Sequence, residues 1–207
     1  MSDTPAELSA PFEHPKSAPA DRETAGPFDE SEANAVRPYV DLGGVKILPR
    51  PDLGVRLEVE ESTKRVVAVA LDYAGSTLQV QAFAAPRNAG LWFEIREQIS
   101  EQITRQGGTI TTGTGPFGPE LRADIPAQPG QPDGSRVARF IGVDGPRWFL
   151  RGVISGQGAV DAAAAAQVED LFRSVVVVRG TSPMPPRDLI PLQVPASVQG
   201  STPTQSV

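Results

Sequence analysis

The apolar residues of this chain change period twice between Val55 and Ile154, and that change constrains the fold more than any motif does. Val55-Arg-Leu-Glu-Val59 alternates apolar and polar residues, which on a strand puts Val55, Leu57 and Val59 on one face. RVVAVAL (65–71) and TLQVQAF (77–83) follow, joined by the turn-like DYAGS, so strands in hairpin succession are predicted. In LWFEIREQISEQI the residues Trp92, Ile95, Ile99 and Ile103 instead recur at three and four, the stripe of an amphipathic helix. Asn88 is placed to cap that helix, Glu101 and Arg105 to pair across one turn, and Gly107-Gly108 to stop it. Strand-like runs then return at 109–112, 120–125, 136–143 and 146–154. Asp144-Gly145 is the expected hairpin turn between the last two, because glycine accepts the positive φ of a tight primed turn. A second helix is predicted from Asp161 through AAAAAQVEDLFRS, turning Ala164, Val168, Leu171 and Phe172 inward, and Val175–Val178 is a short buried strand. The order of elements gives an α+β domain over residues 39–180: a curved antiparallel sheet with two helices packed on it.

The flanks differ in composition. Residues 1–38 hold Pro, Ala, Ser and acids but few large apolar side chains, so a disordered acidic arm is expected. From Thr181 to Val207 prolines recur too densely for a helix or a central strand, although Leu189, Ile190, Leu192 and Val194 are spaced to dock in extended form. The formal charge of −6 is concentrated at the front: residues 1–40 carry eight acids and three bases, whereas residues 41–180 carry 16 and 15. A near-neutral domain behind an acidic arm lacks the basic footprint of a duplex nucleic-acid binder. Without cysteine the chain forms no disulfide and no thiolate metal site, a usage that fits the cytoplasm. The N-terminus lacks a basic segment followed by an apolar run, and the alanine run at 162–166 is too short to cross a bilayer, so neither a signal peptide nor a transmembrane span is predicted.

One stretch imitates a cofactor motif. Gly113, Gly115 and Gly118, in TTGTGPFGPEL, have the G-x-G-x-x-G spacing that cradles a pyrophosphate. That cradle needs a parallel strand before it and a helix after it, whereas these glycines lead into the strand-like LRADI, and Pro116 and Pro119 remove two N–H donors. A turn between antiparallel strands is the simpler expectation, and no cofactor is predicted. The sole histidine, His14, falls in the arm, where nothing is expected to hold it, so neither a His-based metal site nor a Ser-His-Asp triad is expected in the domain. Acids cluster at Glu58, Glu60 and Glu61 and at Glu169-Asp170, positions expected on solvated surfaces.

Arginine forms the richest constellation. Arg122, Arg136, Arg139, Arg147 and Arg151 fall on the predicted strands after the glycine turn, and a period of two puts Arg147, Phe149 and Arg151 on one face. Arg122, Arg139, Arg147 and Arg151, beside Gly113, Gly115 and Gly118, are therefore the candidate residues for a small anion, a nucleotide-type ligand or an acidic peptide. The other reading makes them a polar outer face paired with Glu120, Asp124 or Asp144. Trp92 and Trp148 sit on apolar faces and are expected as core anchors.

The segments LWFEIREQI, TTGTGPFGPELRADIP, DGPRWFLRGVISG and VEDLFRSVVVVRG resemble an uncharacterised actinobacterial family known as a domain of unknown function. The likeness covers residues 38–195, with GTGPFGPEL and GPRWFLRG its most specific parts, and it implies no activity, cofactor or catalytic residue. Sixteen arginines against three lysines suit the high-GC genome that this resemblance implies. The closing helix and FRSVVVV strand are similar to the PsbP-like fold, a likeness of architecture that carries no function. The expected function is a non-enzymatic cytoplasmic adaptor that binds another protein through its sheet and its extended tails. The alternatives are an anion- or nucleotide-binding domain on the arginine face and, after it, a hydrolase using carboxylates alone. No catalytic residue is assigned.

Overall fold

A computed structural model of the chain describes residues 14–126 and 136–194. The disorder expected for 1–13 and the tail at 195–207 lie outside the described residues. In chain order the elements are α1 (Arg22–Ala25), β1 (Phe28–Asp29), β2 (Val40–Asp41), β3 (Val45–Ile47), β4 (Gly54–Val59), β5 (Val66–Tyr73), β6 (Ser76–Ala84), α2 (Trp92–Arg105), β7 (Thr109–Gly115), β8 (Gly118–Ile125), β9 (Arg136–Asp144), β10 (Trp148–Gly156), α3 (Ala162–Arg173) and β11 (Val176–Val177). A single turn of tighter helix at Gln157–Ala159 leads into α3.

Seven strands form one antiparallel sheet in the order β4-β5-β6-β10-β9-β8-β7, and four short ones form a second in the order β1-β11-β3-β2. Among the described residues only β1 and β11 run parallel. The architecture is α+β, as the change of period predicts. Alternation along the strands sorts side chains into two cores. On one face Val69, Leu71, Val80, Ile141, Trp148 and Leu150 meet α3 and the small sheet. On the other, Leu121, Ala123, Phe140 and Phe149 meet Trp92, Ile99 and Ile103 of α2. Because both faces of β9 and β10 are covered, these strands are buried along most of their length, Arg139 and Asp144 included. Trp92 and Trp148 are both 0 % exposed, the anchors of the two cores. Trp148 Nε1 donates to Asp29 Oδ2 at 2.9 Å, and Trp92 Nε1 to the Pro119 carbonyl at 2.7 Å.

The N-terminal arm departs from the expectation of disorder. Residues 14–38 carry α1 and β1, and Arg22 lies buried with both guanidinium nitrogens on Glu32, at 2.7 and 2.6 Å. Polar anchors hold the arm, which an apolar-residue count does not register: Phe28 N donates to the Val175 carbonyl at 2.9 Å and Ser17 N to Asp144 Oδ2 at 2.9 Å.

Asp144 also corrects the expected cap of α2. Asn88 plays no such part; the helix starts after Leu91, which provides no side-chain cap, and Leu91 N donates instead to Asp144 Oδ1 at 2.8 Å. A carboxylate from β9 thus meets an orphan N–H of α2 and ties it to the arm. Burial pushes the Asp144 carboxyl up from its ordinary pKa, against the opposing pull of the N–H groups of Leu91, Ser17 and Trp92 and of Lys16. Nor is Asp144-Gly145 the turn itself. Pro146 and Arg147 form it, closed by Gly145 N donating to the Trp148 carbonyl at 2.8 Å, and Gly145 is absent from the positive-φ glycines. Its lack of a side chain is needed for space: a Cβ there would lie 2.2 Å from the Trp148 indole. Helix α3 is capped as expected, Ala164 N donating to Asp161 Oδ1 at 2.8 Å.

The chain after β11 runs extended along β6 and the small sheet. Ala84 N donates to the Asp188 carbonyl, Ile190 N to Ala82 and Gly44 N to Pro191, at 2.8, 2.9 and 2.9 Å, and Ile190 and Leu192 are buried.

Candidate functional site

The four candidate arginines do not form one face. Arg122 and Arg139 stand opposite each other on β8 and β9, on the side facing α3. Arg139 is 9 % exposed and fully engaged: its Nε and Nη2 donate to Glu120 at 3.2 and 2.8 Å, and Nη2 also to Glu169 at 2.8 Å. Burial pulls its pKa down most strongly, but the two carboxylates outweigh it and leave the guanidinium above its ordinary value. Arg151 lies on the opposite face, donating to Gln81 Oε1 with its guanidinium 5.7 Å from the Phe83 ring centroid, and burial lowers its pKa. Arg147 sits in the β9–β10 turn and donates to the Gly180 carbonyl at 3.1 Å. The expected arginine face fails because Phe149, on the same strand face as Arg151, is packed under α2.

Gly113, Gly115 and Gly118 belong to a hairpin. Gly115 is opposite Gly118 in the β7–β8 register, and Pro116-Phe117 is the turn. The turn is pinned by Phe117, which is buried with its ring edge-on to Phe172 at 4.9 Å. Gly115 lets Glu120 approach, since a Cβ there would lie 2.3 Å from the carboxylate. The spacing that imitates a phosphate cradle thus serves strand pairing.

Of the acid clusters, Glu169 is not solvated as expected but shares Arg139 with Glu120, the guanidinium standing between the two carboxylates, and the others disperse. Glu58 accepts from Gln79, Glu60 from the Thr63 hydroxyl at 2.5 Å, and Asp170 from Arg50 at 2.7 Å. His14 is held after all, stacked on Phe93 at 4.0 Å with its carbonyl accepting from Gly90 N at 2.8 Å, a packing role. Among the described residues no group of three or more His, Asp or Glu side chains is placed to hold a metal ion, and no helix is long and apolar enough to cross a membrane.

What the fold does expose is a strand edge. β4 and β7 are the two ends of the large sheet. β4 carries Arg56 and Glu58 and a register shift between Glu58 and Val59, devices that discourage further pairing. β7 reads Thr-Ile-Thr-Thr-Gly-Thr-Gly, without a charge or a bulge, and is exposed over most of its length. Its backbone alternation can be fixed from Pro119. That residue stands opposite Thr114, has no N–H, and gives its carbonyl to Trp92, so the pair is not a hydrogen-bonded one. Ile110, Thr112 and Thr114 therefore turn their N–H and C=O groups outward, to the open side. Beside this edge Arg122 is exposed and has no carboxylate partner among the described residues. Sequence reasoning passed over β7 while weighing its glycines; the available signal was a run of threonines and glycines with neither a charge nor a clear apolar face.

The chain belongs to the family described as protein of unknown function (DUF3710), whose model matches residues 26–201. The match takes in β1 and the extended segment after β11 as well as the sheet and helices. No curated protein and no solved structure matches the chain.

Proposed function

We propose that the chain is a non-enzymatic protein-binding module, working in the cytoplasm, whose recognition element is the open edge β7. The observation that carries this reading is the asymmetry of the sheet's ends: β4 is charged and bulged, whereas β7 presents an unprotected ladder. Strand addition there satisfies the outward groups of Ile110, Thr112 and Thr114, which water otherwise solvates.

The occupant whose chemistry fits is a second copy of β7. An antiparallel pair with Thr112 on the twofold axis sets Ile110 opposite the partner copy's Thr114 and forms about six backbone hydrogen bonds. In that register Thr111 lies beside the partner copy's Gly113. Arg122, next to Thr111 on β8, then faces the partner copy's Glu120 across two small residues, about 14 Å between Cα positions at three strand spacings. Glu120 leans over β7 at Gly115 while bonded to Arg139, so the partner copy's Arg122 would add a second cation to an acid already held near the edge.

Sedimentation equilibrium of the full chain tests this. A dimer is expected, weakened about tenfold or more by Thr112→Pro, which removes an outward N–H, and by Arg122→Glu, which sets acid against acid. Thr112→Ser should leave it intact. Because the chain has no cysteine, a nitroxide on Thr112→Cys reports the axis directly, with a short interspin distance. A chain that stays monomeric at high concentration, or a dimer insensitive to both variants, overturns the assignment.

A further inference from the structure

A second set of unpaired guanidiniums lies at the far end of the small sheet and owes nothing to the open edge. β1 and β11 run parallel, and the segments leaving their carboxyl ends flank a crevice of about 430 Å³ that the β9–β10 turn closes. Arg147 enters it from the turn and Arg179 from the segment after β11, with Thr181 beside them. Arg147 donates to the Gly180 carbonyl at 3.1 Å and Arg179 to the Ser182 carbonyl at 3.0 Å, and among the described residues neither meets a carboxylate. Nε of Arg179 is buried without any hydrogen-bond partner.

Asp29 and Glu30 line the same crevice but bond neither guanidinium, so the donors of Arg147 and Arg179, the buried Nε of Arg179 among them, are left for a further acceptor. Burial, and after it the charge of Arg147, lower the pKa of Arg179, and no acid counters them. The two acids that also line the crevice are spoken for. Asp29 accepts from Trp148 Nε1 at 2.9 Å and from the Ser31 hydroxyl at 2.6 Å, and Glu30 from Lys46 at 2.7 Å. The guanidiniums are therefore the groups left with unused donors, and planar N–H forks match the oxygens of a tetrahedral anion.

We infer that the crevice between Arg147 and Arg179 binds a phosphate-type oxyanion, either free or as the ester group of a small molecule. The volume beyond the two guanidiniums accommodates more than the bare ion. Neither Arg122 nor Arg139 takes part, so this site stands or falls independently of strand addition at β7.

The test uses the full chain, titrated with inorganic phosphate and with glycerol phosphate by calorimetry and by thermal melting at constant ionic strength set with chloride. Saturable binding of both is expected, with Kd raised about tenfold or more by Arg147→Gln and by Arg179→Gln. A tighter Kd for the ester identifies an ester as the ligand, and equal values identify the free ion. Arg179→Gln removes one of two repelling cations, so in phosphate-free buffer it should melt no lower than the parent chain while losing the rise in Tm that phosphate gives. Absence of saturable binding to either probe, or binding unaffected by both variants, overturns the proposal. So does an Arg179→Gln chain that keeps its phosphate-dependent rise in Tm.

Discussion

Replacing Arg139 by Met probes the most heavily invested charge in the fold. Its guanidinium is held by Glu120 at 3.2 and 2.8 Å and by Glu169 at 2.8 Å, and both acids are 16 % exposed. Methionine fills much of the space but leaves two carboxylates confined together without a cation. Breaking a buried ion pair from one side costs about 3–5 kcal/mol, because the remaining charge is stranded rather than merely unbonded. For a chain of this length each kcal/mol lowers Tm by about 2–4 °C, so a fall of roughly 6–20 °C is expected. Urea unfolding followed by tryptophan emission is the assay, since Trp92 and Trp148 are both fully buried and report the two cores. The decisive comparison is Arg139→Met combined with Glu120→Gln and Glu169→Met. Exchanging a whole ionic cluster for neutral groups of similar volume is often neutral, so the triple variant should regain most of the loss. Loss of less than about 1 kcal/mol in the single variant, or a triple variant as unstable as the single, would refute the stranded-charge argument.

Two further perturbations follow from the same geometry. Gly145→Ala places a methyl 2.2 Å from the Trp148 indole, which has nowhere to move, and should lower stability by roughly 1–3 kcal/mol, with a changed near-ultraviolet circular dichroism of that tryptophan. Asp72, bonded by Arg56 and then by Thr77, has its carboxyl lowered to about 2. With a folded pKa below the unfolded value of about 3.9, its contribution to stability is present above that value and is lost as pH falls through the folded one. A carbon-detected titration of the Asp72 carboxyl should show the low value, and Arg56→Gln should move it back up. An unchanged titration in Arg56→Gln would mean that the bidentate contact is not what holds it down.

The elements were legible where one local rule decides them. The three-and-four stripe from Trp92 to Ile103 placed α2, Asp161 placed the start of α3, and alternation placed β4, β5 and β6. What was not legible depended on contacts distant in sequence. The cap of α2 comes from Asp144, 53 residues beyond Leu91, whereas the sequence next to the helix offers Asn88. The arm folds through Ser17 and Arg22, whose polar contacts are invisible to a count of apolar residues. The arginines failed for a topological reason: alternation predicted that Arg151 shares a face with Phe149, but not that a helix packs under that face. Arg179 escaped notice because its neighbour Arg147 is brought to it only by the pairing of β1 with β11 and by the β9–β10 turn.

The charges also explain why the chain's binding surfaces carry no motif. Several of its acids are consumed internally: Glu32 by Arg22, Asp170 by Arg50, Asp72 by Arg56, Glu120 and Glu169 by Arg139. An exposed guanidinium without an acid says little by itself, because water solvates it, as it does Arg37, Arg65 and Arg87. Context turns such a charge into a recognition element. Arg122 gains it from an unprotected ladder one strand away, which fixes where a partner's acid must fall. Arg147 and Arg179 gain it from each other, since two guanidinium forks with free donors in one crevice suit a ligand that offers several acceptor oxygens. In both places the specificity resides in which strands lie side by side, a property of topology rather than of any contiguous run of residues.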